Sequence, residues 1–194
     1  DGRHHVARAT VAGRSRQPPH RHHDHQDAKG HRGDRRNTAD LDEDGDLDLV
    51  SANERGNDLR VFCQDPLGDF LLGAQLPTRA GPEFVAAGDL DGDGDADLAV
   101  ADRAGNRLSL FHQAAGGFSG PRLDLGSGTR TRGPVALALS DLDGDGFLDL
   151  VSANRDGNNL TAFYYSNPSG FPTLPADEDT LGGATITAGP VSVA

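Results

Sequence analysis

The sequence predicts an all-β fold built from repeated blades of short strands. The main observation is an internal repeat, since three acidic runs begin at Asp40, Asp89 and Asp141, 49 and then 52 residues apart. From each aspartate, 23 residues align without a gap, ending at Phe62, Phe111 and Phe163. Composition agrees, because 26 Gly, 11 Pro, no Trp and no Met in 194 residues leave little material for long amphipathic helices. A repeat of about 50 residues indicates a supersecondary unit that stacks on its neighbours.

Each repeat predicts four strands. An apolar strand begins at a Gly-Pro pair, Gly81-Pro82 or Gly133-Pro134, eight residues before the acidic run. The run is followed by a short strand such as "LVSAN", a Gly-Asn turn and a second strand such as "LRVF", and we expect a fourth strand after "LGDF", "AGGF" or "NPSGF". The strand after each run has little polar surface on either face, so it needs sheets on both sides. These features favour the blades of a β-propeller.

The repeats begin and end abruptly. Residues 1–37 lack the Gly-Pro strand and any regular apolar period, and residues 1–39 carry a net charge of +5 against −17 for residues 40–194. We expect 1–37 to be a disordered or aberrant His/Arg-rich leader and 38–194 to hold about three blades. Gly189-Pro190 starts a further copy, which indicates a fragment that ends inside a fourth repeat. The leader offers no apolar run for a signal peptide or membrane span; its His clusters are a weak candidate for a transition metal, and its "RGD" is a coincidence of composition.

The acidic runs have the spacing of a cation-binding loop. Read as D-x-D-x-D-G-x-x-D, each places carboxylates at loop positions 1, 3, 5 and 9 and a glycine at position 6. Ca²⁺ takes six to eight oxygen ligands, and the glycine permits the sharp bend of the chain around it. Position 7 would give only its backbone carbonyl. This agrees with the different side chains found there in the three runs, since a carbonyl ligand leaves the side chain free to vary. An EF-hand fits poorly, because position 12 is Ser51, Val100 or Ser152 rather than Glu and no flanking helix is predicted. The remaining alternative is that the runs are only charged turns at the sheet periphery.

The pattern "DLDGDGxxDLxxxN" after a Gly-Pro strand resembles the FG-GAP, or VCBS-type, repeat of the calcium-binding propellers in integrin α subunits and many secreted bacterial proteins. The resemblance covers residues 38–194. It implies a seven-bladed propeller, of which this chain holds about half, with calcium loops between adjacent strands of a blade. It also implies the following ligands, with the fourth residue of each set contributing its carbonyl: Asp40, Asp42, Asp44, Asp46 and Asp48; Asp89, Asp91, Asp93, Asp95 and Asp97; and Asp141, Asp143, Asp145, Phe147 and Asp149.

No catalytic constellation is predicted. Beyond the leader the one histidine is His112, which aligns with Cys63 and Tyr164, and three unlike residues at one repeat position indicate a variable, non-catalytic site. The single cysteine excludes an internal disulfide, so calcium would fasten the blades instead. The acidic repeats would repel nucleic acid. We expect a non-enzymatic adhesion or binding scaffold that is extracellular, on the cell surface or periplasmic, with a protein or glycan partner. The alternative is an accessory propeller of a larger secreted enzyme, such as a polysaccharide-degrading one.

Overall fold

The computed structural model describes residues 39–114, 117–118, 122–165 and 177–182. Across these ranges the protein is all-β, and none of them forms a helix, so none offers a helix that could cross a membrane. The predictions for the leader at 1–37 and for the strand at Gly189-Pro190 lie outside these residues. The strands are β1 (Leu49–Asn53), β2 (Asp58–Gln64), β3 (Phe70–Pro77), β4 (Pro82–Gly88), β5 (Asp97–Asp102), β6 (Arg107–Phe111), β7 (Gln113–Ala114), β8 (Gly117–Phe118), β9 (Leu123–Leu125), β10 (Pro134–Ser140), β11 (Asp149–Asn154), β12 (Asn159–Tyr164) and β13 (Asp177–Gly182).

The strands form one antiparallel sheet for each sequence repeat, which confirms the predicted blades. Their orders are β1-β2-β3, β4-β5-β6-β9 and β10-β11-β12-β13. Among the described residues, the first sheet has no counterpart of β4 or β10. In the second repeat Gly117–Phe118 form β8, which pairs with β7 as a separate hairpin, and the fourth strand expected after "AGGF" is β9, which begins at Leu123.

Strand β5 shows why the strand after each acidic run has so few polar residues: it is buried on both faces. All six of its residues are buried, and it pairs with β4 on one edge and β6 on the other. Because side chains alternate along a strand, Leu98 and Val100 pack with the first blade, in a core that includes Leu59 and Val61. The alanines between them, Ala99 and Ala101, pack in a second core shared with the third blade, which includes Leu150 and Phe163.

The Gly-Pro pairs mark where the chain passes from one blade to the next. Gly81 has a φ of 67° and Gly133 a φ of 64°, both in the left-handed region that favours glycine. The Gly81 carbonyl accepts a hydrogen bond from the Arg103 N–H at 2.9 Å, which ties the entry of β4 to the β5–β6 turn. A Cβ at Gly81 would lie 2.9 Å from the Cβ of Ala104, so a larger residue has no room. The glycine is therefore required by both conformation and close approach.

Candidate metal centre

Each acidic run folds as a loop that is turned by its own aspartates. Two of the loops connect the first and second strands of their blades, β4 to β5 and β10 to β11, and the remaining loop precedes β1. In every loop the position-3 carboxylate accepts the N–H of position 5, and the position-5 carboxylate accepts the N–H of position 7. The distances are 3.1 Å from Asp145 N to Asp143 Oδ1 and 2.9 Å from Phe147 N to Asp145 Oδ1. These short-range bonds are the usual behaviour of Asp in turns.

The position-1 aspartate closes the loop from the other side. Asp141 accepts the Gly144 N–H at 2.6 Å and the Gly146 N–H at 3.1 Å, one on each carboxylate oxygen. Asp89 does the same with Gly92 and Gly94 at 2.7 and 3.1 Å. The glycines at position 6 have φ values of 95°, 101° and 100°, so the bend that the sequence predicts there is present in all three loops.

The first loop differs at position 4. Glu43 has a φ of 64°, in the region where the other two loops have Gly92 and Gly144. In this loop Asp40 Oδ1 accepts the N–H of Asp44 at 3.1 Å, whereas the other two loops use the N–H of position 4. A left-handed conformation is unfavourable by about 1–2 kcal/mol for a residue with a Cβ. The departure noted in the sequence therefore coincides with a strained backbone.

The position-9 aspartates, Asp48, Asp97 and Asp149, connect the loops to the body of the blades. Each is fully buried and uses both carboxylate oxygens to accept backbone N–H groups. Asp97 accepts from Leu90 inside its loop and from Gln113 after β6, both at 2.9 Å. Asp48 bridges Leu41 and Gln64 in the same way, and Asp149 bridges Leu142 and Tyr165. Each position-9 aspartate is expected to be a cation ligand, and its hydrogen bonds also connect the loop to the blade.

Carboxylate oxygens converge in each loop. Three groups have one oxygen per residue, all within 4.8 Å of one another: Asp40, Asp42 and Asp44; Asp89, Asp91 and Asp97; and Asp141, Asp143 and Asp149. Two ligands on opposite sides of a Ca²⁺ ion are about 4.8 Å apart, since each Ca–O bond is about 2.4 Å. These donor sets therefore fit a hard cation in type and spacing. Of the other expected ligands, Asp48 and Asp93 join further groups, whereas Asp145 and the position-7 residues Asp46, Asp95 and Phe147 belong to none among the described residues.

Burial and mutual repulsion raise the pKa values of four of the expected ligands. Burial raises the pKa of Asp97 to about 6, and the charge of Asp91 adds to the effect. The pKa values of Asp48, Asp91 and Asp149 are also raised, chiefly by burial and further by neighbouring aspartates. Backbone N–H donors oppose the shift in each case. A bound divalent cation would favour the ionised form of all four groups.

Two further residues lie beside the loops, although the sequence pattern did not assign them to the cation sites. His112 Nδ1 lies 3.0 Å from Asp91 Oδ2 and 3.1 Å from Asp97 Oδ1. Cys63 occupies the same repeat position, and its Sγ atom lies within 4.8 Å of a carboxylate oxygen of Asp42 and one of Asp48. Burial raises the pKa of Cys63 to about 12, with a contribution from its hydrogen bond to Asp42. For His112, strand alternation was the available signal: Phe111 faces a core, so the next residue faces the opposite side of the blade.

Adjacent loops also touch. A Cβ placed on Gly92 of the second loop would lie 2.8 Å from Cε1 of Phe147 in the third loop, so the aromatic ring lies directly against this glycine. The position-7 side chain, whose identity the cation pattern leaves free, is used here as a packing contact between neighbouring blades.

Comparison with known families agrees with this architecture. The FG-GAP-like repeat model matches residues 40–100 and again 89–152, together more than half of the chain. The chain belongs to the FG-GAP-like repeat family. Each match starts at a position-1 aspartate, Asp40 or Asp89.

A solved structure has a similar fold. The FG-GAP-like chain is similar to a crystal structure of BBS1N in complex with ARL6DN, soaked with lead, with a TM-score of 0.50 and 18% sequence identity. The alignment covers 81% of this chain and 44% of the BBS1N chain, so this chain spans less than half of that structure. At this identity the similarity supports the β-propeller fold alone. No curated protein matches the chain significantly.

Proposed function

We propose that this FG-GAP-like propeller segment binds Ca²⁺ in its three loops and acts as a non-enzymatic binding or adhesion scaffold. The observation that supports the proposal is the threefold convergence of carboxylates, each set including or adjoining one fully buried aspartate. Positions 1, 3, 5 and 9 would supply side-chain oxygens, and Asp46, Asp95 and Phe147 would supply carbonyls. Bound Ca²⁺ would turn the repulsion within each loop into attraction, which stabilises the connection between loop and blade.

The expected location is outside the cytoplasm: extracellular, on a cell surface or periplasmic. The exposure of the loops supports this location, since position 5 of every loop is exposed: Asp44, Asp93 and Asp145. Exposed oxygen sites of this kind suit the high calcium concentrations of extracellular modules, whose dissociation constants are about 10⁻⁴–10⁻³ M. A protein or glycan would then be the partner of the assembled blades.

The test is thermal unfolding in excess Ca²⁺ and in chelator, with bound calcium counted by equilibrium dialysis. Calcium at about 100 times its dissociation constant stabilises the folded state by about 2.7 kcal/mol per site. We expect up to three bound ions and a clear increase in Tm. Identical melting curves together with no retained calcium would refute the proposal. Magnesium at the same concentration is the control for ionic strength and charge screening.

A further inference from the structure

The second loop differs from the third in the kind of atom it presents to a cation. Its group contains Asp91, Asp93 and His112, with their ligand atoms within 4.8 Å of one another. Asp91 also belongs to the carboxylate group of Asp89 and Asp97, so the imidazole borders the same space as the expected calcium ligands. Among the described residues the third loop has only the group of Asp141, Asp143 and Asp149, which contains carboxylates alone.

The position of His112 is fixed by the fold. The residue follows β6 directly, and the next residue, Gln113, donates its N–H to Asp97 at 2.9 Å. The imidazole is therefore attached to a backbone that is itself tied to the position-9 aspartate. Its side chain is 27% exposed, whereas those of Asp91 and Asp97 are 4% and 0% exposed. A nitrogen donor is thus held beside two buried carboxylates rather than extended into solvent.

Ligand chemistry separates the cations that could use this arrangement. Ca²⁺ is a hard cation that takes oxygen ligands, while imidazole nitrogen is a common ligand of Zn²⁺ and related transition metals. Two ligands of a tetrahedral Zn²⁺ ion with bonds of about 2.0–2.2 Å lie about 3.4 Å apart. His112 Nδ1 is 3.0 Å from Asp91 Oδ2 and 3.1 Å from Asp97 Oδ1, which is close to that spacing. One histidine and two or three carboxylates make a donor set that a borderline cation prefers over Ca²⁺.

We propose that His112 is a nitrogen ligand that gives the second loop a preference for a transition cation such as Zn²⁺, while the third loop remains an oxygen-only calcium site. The inference rests on the proposed cation binding of the loops. It assigns a function to the repeat position shared by Cys63, His112 and Tyr164: the residue there sets which cation its loop accepts. Sequence variation at this position is then variation in metal selectivity.

The test is displacement of radioactive calcium by Zn²⁺ from the full chain loaded with saturating ⁴⁵Ca. This readout ignores Zn²⁺ that binds to the seven histidines of residues 1–39, because binding there releases no calcium from the loops. We expect low Zn²⁺ to release calcium from the native chain, with one equivalent coming from the second loop. His112→Tyr installs the residue of the third repeat and should raise the Zn²⁺ concentration needed for that release at least about tenfold, since even indirect perturbation of a metal ligand lowers affinity about 10–100-fold.

Tyr164→His is the matched gain-of-function variant, and we expect it to make one more equivalent of calcium displaceable by low Zn²⁺ than in the native chain. Equal release from the native chain and from His112→Tyr, including no release from either, would overturn the inference while leaving calcium binding intact. A chain that retains no ⁴⁵Ca would instead contradict the proposed calcium function. In that case direct Zn²⁺ titration of the native chain and His112→Tyr still decides the role of His112, because equal Zn²⁺ affinities would exclude it as a ligand.

Discussion

The side-chain oxygen of Asn57 accepts a hydrogen bond from the backbone N–H of Gly81 at 2.9 Å, and this bond joins the first blade to the second. Asn57 lies in the β1–β2 turn with a φ of 51°, and Gly81 is the residue before β4. The second and third blades are joined in the same way, since Asn106 accepts the N–H of Gly133 at 2.8 Å. The Gly-Asn turn and the Gly-Pro pair are therefore two halves of one inter-blade contact.

Replacing Asn57 tests this contact. Asn57→Gly keeps the left-handed conformation and removes the hydrogen bond, which leaves the buried N–H of Gly81 without its acceptor, and we expect a loss of about 1–3 kcal/mol in the free energy of unfolding. Asn57→Ala removes the bond and also places a Cβ residue at positive φ, so it should lose about 1 kcal/mol more. Urea unfolding at fixed calcium measures both. Wild-type stability in Asn57→Gly would show that the bond is dispensable.

Replacing Glu43 tests the strained position of the first loop. Glu43→Gly should relieve the left-handed backbone and increase the free energy of unfolding by about 0.5–1 kcal/mol. Glu43→Ala removes the same charge but retains a Cβ at positive φ, so it should give no such gain. Chemical unfolding in chelator compares the two variants without interference from calcium. We also expect the native first loop to bind calcium more weakly than the second. Equal stabilities of the Gly and Ala variants would mean that the backbone at this position is not strained.

Calcium counting separates a side-chain ligand from a carbonyl ligand in the third loop. Asp145→Ala should lose one bound ion, because it removes a position-5 carboxylate. Asp145→Asn retains an acceptor for the Phe147 N–H, which is 2.9 Å from Asp145 Oδ1 in the native loop, and should weaken the site less. Phe147→Ala should keep the full calcium count while lowering thermal stability, because the ring no longer packs on Gly92. Equal calcium losses in Asp145→Ala and Phe147→Ala would mean that the loop register is misassigned.

We expect the buried Asp102 to make the free energy of unfolding depend on pH independently of the acidic loops. The residue is fully buried, Ser109 donates a hydrogen bond to it, and burial raises its pKa to about 6 from a reference of 3.8. The folded state therefore holds the proton more tightly than the unfolded state, so this group's stabilising contribution is present below about pH 4 and is lost as pH rises through 6. Asp102→Asn should remove that part of the pH dependence and stabilise the protein at pH 7 by about 1–3 kcal/mol.

The third blade supplies the reciprocal variant. Asn154 occupies the repeat position of Asp102 and donates from Nδ2 to the Arg130 carbonyl at 3.1 Å and to Thr161 Oγ1 at 3.0 Å. Asn154→Asp should destabilise the protein at pH 7 and create a new loss of stability between about pH 4 and 6, because it places a carboxylate against these acceptors. Unfolding free energies from pH 4 to 8 in chelator measure both variants. Parallel curves for the native chain and Asp102→Asn would contradict the assignment.

Repetition is the reason that so much of this fold follows from the sequence. Three copies of one pattern fix the strand order and the glycine at position 6, because a feature that recurs in register reflects the unit rather than chance. The placement of His112 was not predicted, since its distance from Asp91 depends on how Asp97 holds the backbone of Gln113. The contact of Phe147 with Gly92 was also missed. It depends on how neighbouring blades stack, which the pattern within one repeat does not specify. Among the described residues, the β7–β8 hairpin occurs in the second repeat alone, so the shared pattern does not specify it.

The contact between Asn57 and Gly81 also has an evolutionary consequence. The second repeat carries both halves of this contact, the donor Gly81 at its beginning and the acceptor Asn106 in its middle turn, so copies of such a repeat can follow one another without a new interface. Tandem duplication of one repeat in the gene would therefore add a complete blade together with the contact that attaches it. A circular array of this kind can grow by whole units, and point mutations can then give each unit its own surface.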